Sequence, residues 1–162
     1  MKKNIKFLLN LFIIFCLSLN LNLVYAAGTS DNSTKYSSLY KEGKKLVIKA
    51  KKLEKKDKIE KSKKLYLKAL VKLEKAYEKD KKNADILNYL GFALRKTGDF
   101  EKAESFYLKG LSLDAGHLGI NEYLGELYVQ TNRIELAKKR LEVLNDCNCE
   151  EYEELKELIE NN

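Results

Sequence analysis

The sequence Asn-Tyr-Leu-Gly at residues 88–91 recurs as Glu-Tyr-Leu-Gly at residues 122–125, an offset of 34 residues (125 − 91). Three pairs further along the chain keep the same offset: Phe100 and Ile134, Ala103 and Ala137, Tyr107 and Leu141. A fixed period of this length is the signature of a repeat architecture, in which each unit buries its apolar face against the next.

The pattern places Leu-Gly early in the unit and alanine followed by a large apolar residue later. It resembles the tetratricopeptide repeat (TPR), a helix–turn–helix unit. The resemblance covers residues 84–144 well and residues 36–82 loosely, with Ala115 in place of the family's usual proline near the repeat end. It implies an all-α, TPR-like α-solenoid of about three antiparallel helix hairpins plus a C-terminal capping helix.

The N-terminus has the features of a signal peptide, assigned to residues 1–26. Lysines at positions 2, 3 and 6 precede an almost wholly apolar run at residues 7–19, and cleavage is expected between Ala26 and Ala27. Cleavage leaves 162 − 26 = 136 residues, enough for one domain. We therefore expect an exported protein of a bacterial periplasm, with an uncleaved membrane anchor as the alternative.

The segment after the signal peptide divides into a linker and a basic hairpin. Residues 27–34 (Ala-Gly-Thr-Ser-Asp-Asn-Ser-Thr) are expected to form a flexible linker. Residues 35–82 are expected to form a divergent hairpin with helices at 36–55 and 59–77, separated by a break at 55–58. Two registers compete for its second helix: one aligns Ser62, Tyr66 and Ala69 with the later repeats, the other Ala69, Leu73 and Ala76. The second register implies a hairpin longer than the standard one.

Two regular units follow, at residues 83–117 and 118–146. Asn83 is the expected N-cap of a helix at 84–97, Gly98 its left-handed terminator, and Asp99 the N-cap of a helix at 100–113. Thr131-Asn132-Arg133 takes the place of Thr97-Gly98-Asp99 in the second unit, which predicts helices at 118–131 and 134–145. Gly91 and Gly125 are interpreted as close-packing positions, matched by Ala103 and Ala137 on the second helix of each hairpin.

Residues 147–162 are expected to form a Cys-x-Cys turn and an acidic capping helix at 149–160. Asn148 followed by Glu151 resembles a capping box. Cys147 and Cys149 are the two cysteines that remain after cleavage, and export favours a disulfide between them. The pair is interpreted as a local clip, with thiol–disulfide exchange as the alternative.

Charge divides the chain into a basic and an acidic part. Residues 27–82 hold 19 basic and 8 acidic residues, a net charge of +11, whereas residues 83–162 hold 9 and 16, a net charge of −7. Export makes nucleic acid a poor partner, and membrane contact is expected only through the signal peptide or weak electrostatics. Runs of lysine usually lie on solvated helix faces.

The family resemblance implies a concave groove lined by the first helix of each repeat. The residues carried over to this groove are Asp85, Asn88, Phe92, Arg95, Lys96, Glu122, Glu126, Val129 and Gln130. The Lys/Asn/Arg clamp that some TPR domains use for a peptide carboxylate is not reproduced, because Asn88, Phe92 and Tyr123 stand at the corresponding places. An exposed Phe92 beside Arg95 and Lys96 would suit a peptide with an apolar anchor and acidic character.

No catalytic constellation is present in the sequence. It holds one histidine, His117, and neither a glycine-rich phosphate loop nor a nucleophile elbow. We therefore predict no enzymatic activity, no cofactor and no metal site. Three functions stay open: an adaptor binding a protein or peptide in the groove, a thiol-exchange protein, and a binder of anionic envelope surfaces. The sequence leaves the oligomeric state open.

Overall fold

The computed structural model describes residues 30–162, and the sequence within that range is helical without a strand. The described range contains these helices: α1 Ser30–Glu54, α2 Ile59–Tyr77, α3 Ala84–Thr97, α4 Phe100–Leu113, α5 Leu118–Gln130, α6 Ile134–Leu144 and α7 Glu150–Glu160. The predicted all-α fold of three helix hairpins and a final helix is confirmed. The predicted signal peptide and its cleavage site lie outside the described residues.

The first hairpin consists of α1 and α2, which the turn around Asp57 separates where the break was predicted. The linker prediction is wrong for residues 30–34, which belong to α1, while residues 27–29 lie outside the described range. Ser, Asp, Asn and Thr favour helix starts, so these polar residues extend the amphipathic pattern in the N-terminal direction. All contacts described below lie within Ser38–Asn162, one of two compact units of the chain.

The packing of α1 on α2 decides between the two predicted registers. A Cβ built on Gly43 would lie 2.6 Å from Leu73 Cγ, so Leu73 occupies the place at this glycine that Tyr107 occupies at Gly91. Gly43 and Leu73 are 30 residues apart (73 − 43), whereas Gly91 and Tyr107 are 16 apart (107 − 91). The second register is therefore observed, and the first hairpin is 14 residues (30 − 16) longer than the next one.

Local chemistry sets the ends of the helices in the second hairpin. Asn83 accepts a hydrogen bond from the Ile86 amide at 3.1 Å, and Asp99 accepts one from the Lys102 amide at 3.3 Å. Gly98 ends α3 with φ 97°, a conformation that glycine adopts without a Cβ clash. Asn132 takes the left-handed position between α5 and α6 with φ 57°, as the Thr-Asn-Arg sequence predicted.

Small residues let neighbouring helices approach closely. A Cβ on Gly91 would lie 2.5 Å from the Tyr107 ring, in the paired helix α4. At Gly125 the neighbour is different from the one expected: a Cβ there would meet Leu155 of α7 at 2.5 Å, rather than a residue of α6. The short helix α6 leaves this face of α5 to the capping helix.

The helix α7 closes the stack by burying Leu155 completely. The predicted capping box is wrong, because Cys149 is the N-cap of α7 and makes no side-chain cap hydrogen bond. Asn148 adopts φ 47° and so serves as the turn residue. In the part of the chain that the structure describes, no helix is both long enough and apolar enough to pass through a bilayer.

Candidate functional site

The first helices of the hairpins share one face with the capping helix. The Tyr40 ring of α1 lies 6.0 Å from the Tyr89 ring of α3, and Lys51 Nζ of α1 donates to Tyr123 Oη of α5 at 3.3 Å. Leu155 of α7 contacts α5 from the other side. This face carries two cavities that meet.

The larger cavity, which we call the Asn88 pocket, has a volume of about 430 Å³. It lies between the starts of α3, α5 and α7 and the turn before α5. Its lining residues are Asp85, Asn88, Tyr89, Asp114, Gly116, His117, Leu118, Gly119, Tyr123 and Glu151.

The smaller cavity, the Glu122 pocket, has a volume of about 140 Å³ and lies between α1, α5 and α7. Its lining residues are Lys51, Lys55, Glu122, Tyr123, Glu150, Glu151 and Glu154. Tyr123 and Glu151 line both cavities, so the two are continuous. Together they form what we call the groove.

The turn before α5 is fixed by its own polar groups. His117 Nδ1 accepts from the Ile120 amide at 3.2 Å and caps α5, while Nε2 lies 3.4 Å from Asp85 Oδ1 of α3. Asp114 Oδ1 accepts from the Gly116 amide at 3.2 Å. His117 therefore joins two hairpins, a role that its isolation in the sequence did not indicate.

Glu122 is the most unusual charged group of the groove, because only 3% of its surface is exposed. Burial raises the pKa of its carboxyl to about 9, aided by a hydrogen bond with Glu154 and by the charges of Glu126 and Glu154. Carboxylate oxygens of Glu122, Glu126 and Glu154 lie within 4.8 Å of one another. Lys51 opposes the shift through its positive charge.

The expectation of an exposed Phe92 beside free basic residues is wrong. Phe92 is 1% exposed, Arg95 3% and Asn88 5%. The Phe92 ring packs against Tyr66 of the long first hairpin and against Tyr123, at centroid distances of 5.9 and 4.6 Å. The additional turns of α1 and α2 cover the positions that a standard repeat would leave open.

Arg95 and Lys96 are engaged within the chain. Arg95 Nη2 lies 2.5 Å from Glu126 Oε2, and Nη1 donates to Gln130 Oε1 at 3.0 Å. Lys96 Nζ lies 3.2 Å from Glu54 Oε2 of α1. The basic side chains that were expected to attract an acidic peptide therefore already have acidic partners.

Of the nine predicted groove residues, three line the groove: Asp85, Asn88 and Glu122. The other six lie outside its lining, and Val129 among them is buried. Sequence reasoning missed the acids of the capping helix at 150, 151 and 154, although their position in the first turns of a cap over α5 was a usable signal.

Comparison with known proteins agrees with this architecture. Residues 72–105 match a family model described as tetratricopeptide repeat. The TPR domain of Arabidopsis OM64 is similar in structure, with a TM-score of 0.51 and 14% identity, over 76% of this chain and 98% of that one. The chain carries a tetratricopeptide repeat and the TPR fold.

A second TPR structure is similar to the same extent. The second TPR domain of human RPAP3, solved in complex with the HSP70 peptide SGPTIEEVD, has a TM-score of 0.50 and 18% identity. The similarity covers 76% of this chain and 97% of that domain. Among curated proteins the sequence has no match.

The matched repeat joins α2 of the first TPR hairpin to the start of α4 in the second. It therefore spans the place where the long hairpin meets a regular one. At the positions of the carboxylate clamp, Asn88 and Phe92 are buried in this TPR fold and Tyr123 is half-buried. The absence of the clamp that the sequence predicted thus coincides with loss of access to two of its places.

The Cys-x-Cys turn lies between the last TPR hairpin and the capping helix. The sulfur atoms of Cys147 and Cys149 are 1.93 Å apart, and the Cα atoms 5.2 Å apart. Cys149 directly precedes Glu150 and Glu151, which line the groove. Oxidation of this pair in the cell stays a prediction.

Proposed function

We propose that this protein is an exported scaffold that binds a peptide segment of a partner protein in the groove and has no catalysis of its own. The observation that carries the proposal is the continuity of the two cavities at Tyr123 and Glu151. A continuous groove across three helices can follow an extended segment, whereas separate pockets would favour separate small ligands.

The fold supports the scaffold part of the proposal. The similar second TPR domain of human RPAP3 was solved with a bound peptide, and TPR domains generally serve protein interaction. The side chains of the groove differ from a carboxylate clamp, so the ligand chemistry must come from this chain.

The charge of the groove favours a basic partner segment rather than an acidic one. Acidic residues outnumber basic ones in its lining: Asp85, Asp114, Glu122, Glu150, Glu151 and Glu154 against Lys51 and Lys55. Complementary charge steers association and excludes wrong partners. Half-buried Tyr89 and Tyr123 add aromatic surface, which is typical of binding hot spots.

Partner capture from the producing cells tests the proposal. The groove variant Asp85→Lys/Glu151→Lys reverses two lining charges. The control variant Glu101→Lys/Glu153→Lys makes the same change at exposed positions that line neither cavity. We expect the groove variant to lose a partner that wild type and control both retain.

Two other results would contradict the proposal. Equal retention by groove variant and control would show that the partner binds elsewhere. Loss of the partner only with Cys147→Ser/Cys149→Ser, and of a complex held by a reducible bond, would assign the protein to thiol exchange.

Export is tested separately by the mature N-terminus. The proposal rests on the lysine-rich start and the apolar run before Ala26. Mass spectrometry of the protein from its producing cells is expected to give a chain that begins at Ala27. A chain found only with its first residues intact would contradict cleavage.

A further inference from the structure

A buried carboxylate faces other carboxylates in the Glu122 pocket. Glu122 and Glu126 lie one turn apart on α5, and Glu154 comes from α7. One carboxylate oxygen from each lies within 4.8 Å of the others. Like charges this close repel strongly in a poorly hydrated site, so the arrangement needs a compensating positive charge.

The described residues do not supply that charge to Glu122 itself. Glu122 is buried and lines the cavity, yet none of its hydrogen bonds or ion pairs within residues 37–162 reaches a basic side chain. Lys51 donates to Tyr123, and Arg95 pairs with Glu126. A side chain that is almost entirely buried and faces a cavity without a partner of opposite charge points to a ligand in that cavity.

We propose that Glu122, Glu126 and Glu154 form a calcium-binding site that joins α5 to the capping helix. An ion about 2.3–2.6 Å from each ligand requires oxygen pairs no more than about 5 Å apart. The observed spacing meets that requirement. The donors are all oxygen atoms, which hard cations such as calcium prefer.

The total charge around the cavity agrees with a divalent cation. The carboxylates are Glu122, Glu126, Glu150, Glu151 and Glu154, and the cations are Lys51, Lys55 and Arg95, a net charge of −2 (3 − 5). Glu150 and Glu151 stand at the entrance, where they can bind waters of the ion or complete its shell. When no cation is bound, a proton on Glu122 relieves the same repulsion.

Calcium at this site would stabilise α7 against α5, because its ligands come from both helices. That effect acts on the same contact as Leu155 and Gly125. The inference does not depend on the proposed peptide ligand, since it concerns the pocket floor and the capping helix alone.

Terbium luminescence and calcium titration test the site. The protein is purified from its producing cells, freed of metal with a chelator, and titrated with terbium and then with calcium or magnesium chloride. Tyr123 lines the cavity and can sensitise terbium emission. We expect saturable emission that calcium displaces, and a thermal midpoint that rises with calcium.

Matched variants separate a built site from diffuse attraction. Glu122→Gln and Glu154→Gln are expected to weaken calcium binding at least about ten-fold. Glu153→Gln and Glu157→Gln, which change exposed acids of α7 outside the cavity, are expected to bind as wild type does. Glu154 is exposed, so its variant retains the test if Glu122→Gln fails to fold.

Three results would overturn the inference. Absence of calcium and terbium binding would show that a proton alone relieves the repulsion. Equal weakening by the cavity and control variants would show attraction to the acidic surface as a whole. Binding of magnesium with no binding of calcium would show the wrong ion.

Discussion

The contact between Gly125 and Leu155 makes a prediction whose sign depends on the background. In wild type, alanine at position 125 would place its Cβ 2.5 and 2.7 Å from the two Cδ atoms of Leu155 and 3.2 Å from Cγ. Rotation of the leucine cannot relieve all three contacts, and Leu155 has no exposed surface into which it could move.

The magnitudes follow from two opposing terms. Overpacking a tight core costs about 1–3 kcal/mol, whereas glycine to alanine inside a helix gains about 1 kcal/mol. Gly125→Ala should therefore lower the free energy of unfolding by about 0–2 kcal/mol. Leu155→Ala should lower it by about 2–5 kcal/mol, because it leaves a cavity at a fully buried position.

In the Leu155→Ala background the overpacking term disappears and the helix gain remains. Gly125→Ala should then raise the free energy of unfolding by about 1 kcal/mol instead of lowering it. Urea unfolding followed by far-UV circular dichroism measures all four proteins. Leu158→Ala, at a partly exposed position of the same helix, is the control and should cost little.

The cycle has one outcome that would refute the reasoning. If Gly125→Ala changed the free energy of unfolding equally in both backgrounds, residues 125 and 155 would not be in contact. The capping helix would then not pack on α5 as described.

Three further substitutions have expected outcomes of their own. Phe92→Ala should cost about 3–5 kcal/mol in urea unfolding because Phe92 is buried, and Phe100→Ala, at an exposed position, much less; equal costs would restore Phe92 as a surface residue. Asp99→Ala should cost about 1 kcal/mol through loss of the α4 cap, and Asp99→Asn should retain most of it; a null effect of the alanine would show that the cap does not contribute. Under oxidising conditions Cys147→Ser/Cys149→Ser should cost about 1.6 kcal/mol, as loop entropy for a three-residue ring predicts, and the difference should vanish in reductant; a difference that persists would show that the thiols are free.

Local chemistry explains what the sequence predicted well. Gly98, Asp99 and Asn83 fix helix ends through their own backbone and side chains, so their roles can be derived from neighbours a few residues away. The 34-residue offset identified the hairpins for the same reason. Each unit repeats the same local pattern, and the fold follows from stacking it.

The burial of the predicted groove residues depended on a longer range. Helix register placed Phe92 and Arg95 on the face that the first hairpin approaches, which is correct. Whether that face stays open depends on the length of α1 and α2, because the added turns bring Glu54 and Tyr66 onto it. The alternative register with Leu73 already implied the longer hairpin, but not which residues it would cover.

The acidity of the groove arose from separate elements that meet only in the fold. Asp85 begins α3, Asp114 follows α4, and Glu151 begins α7. Each has a local explanation, since acids near helix starts complement the helix dipole and aspartate favours turns. Their convergence on one cavity could not be derived from any one segment.

Site-specific photo-crosslinking in the producing cells tests the central claim most directly. p-Benzoylphenylalanine would replace Tyr89 in the Asn88 pocket, Leu108 on the exposed side of α4, or Leu67 on the lysine-rich helix α2. The account predicts a partner adduct from position 89 and none from positions 108 and 67. Adducts from position 67 alone, or equally from all three, would contradict a binding groove at this face.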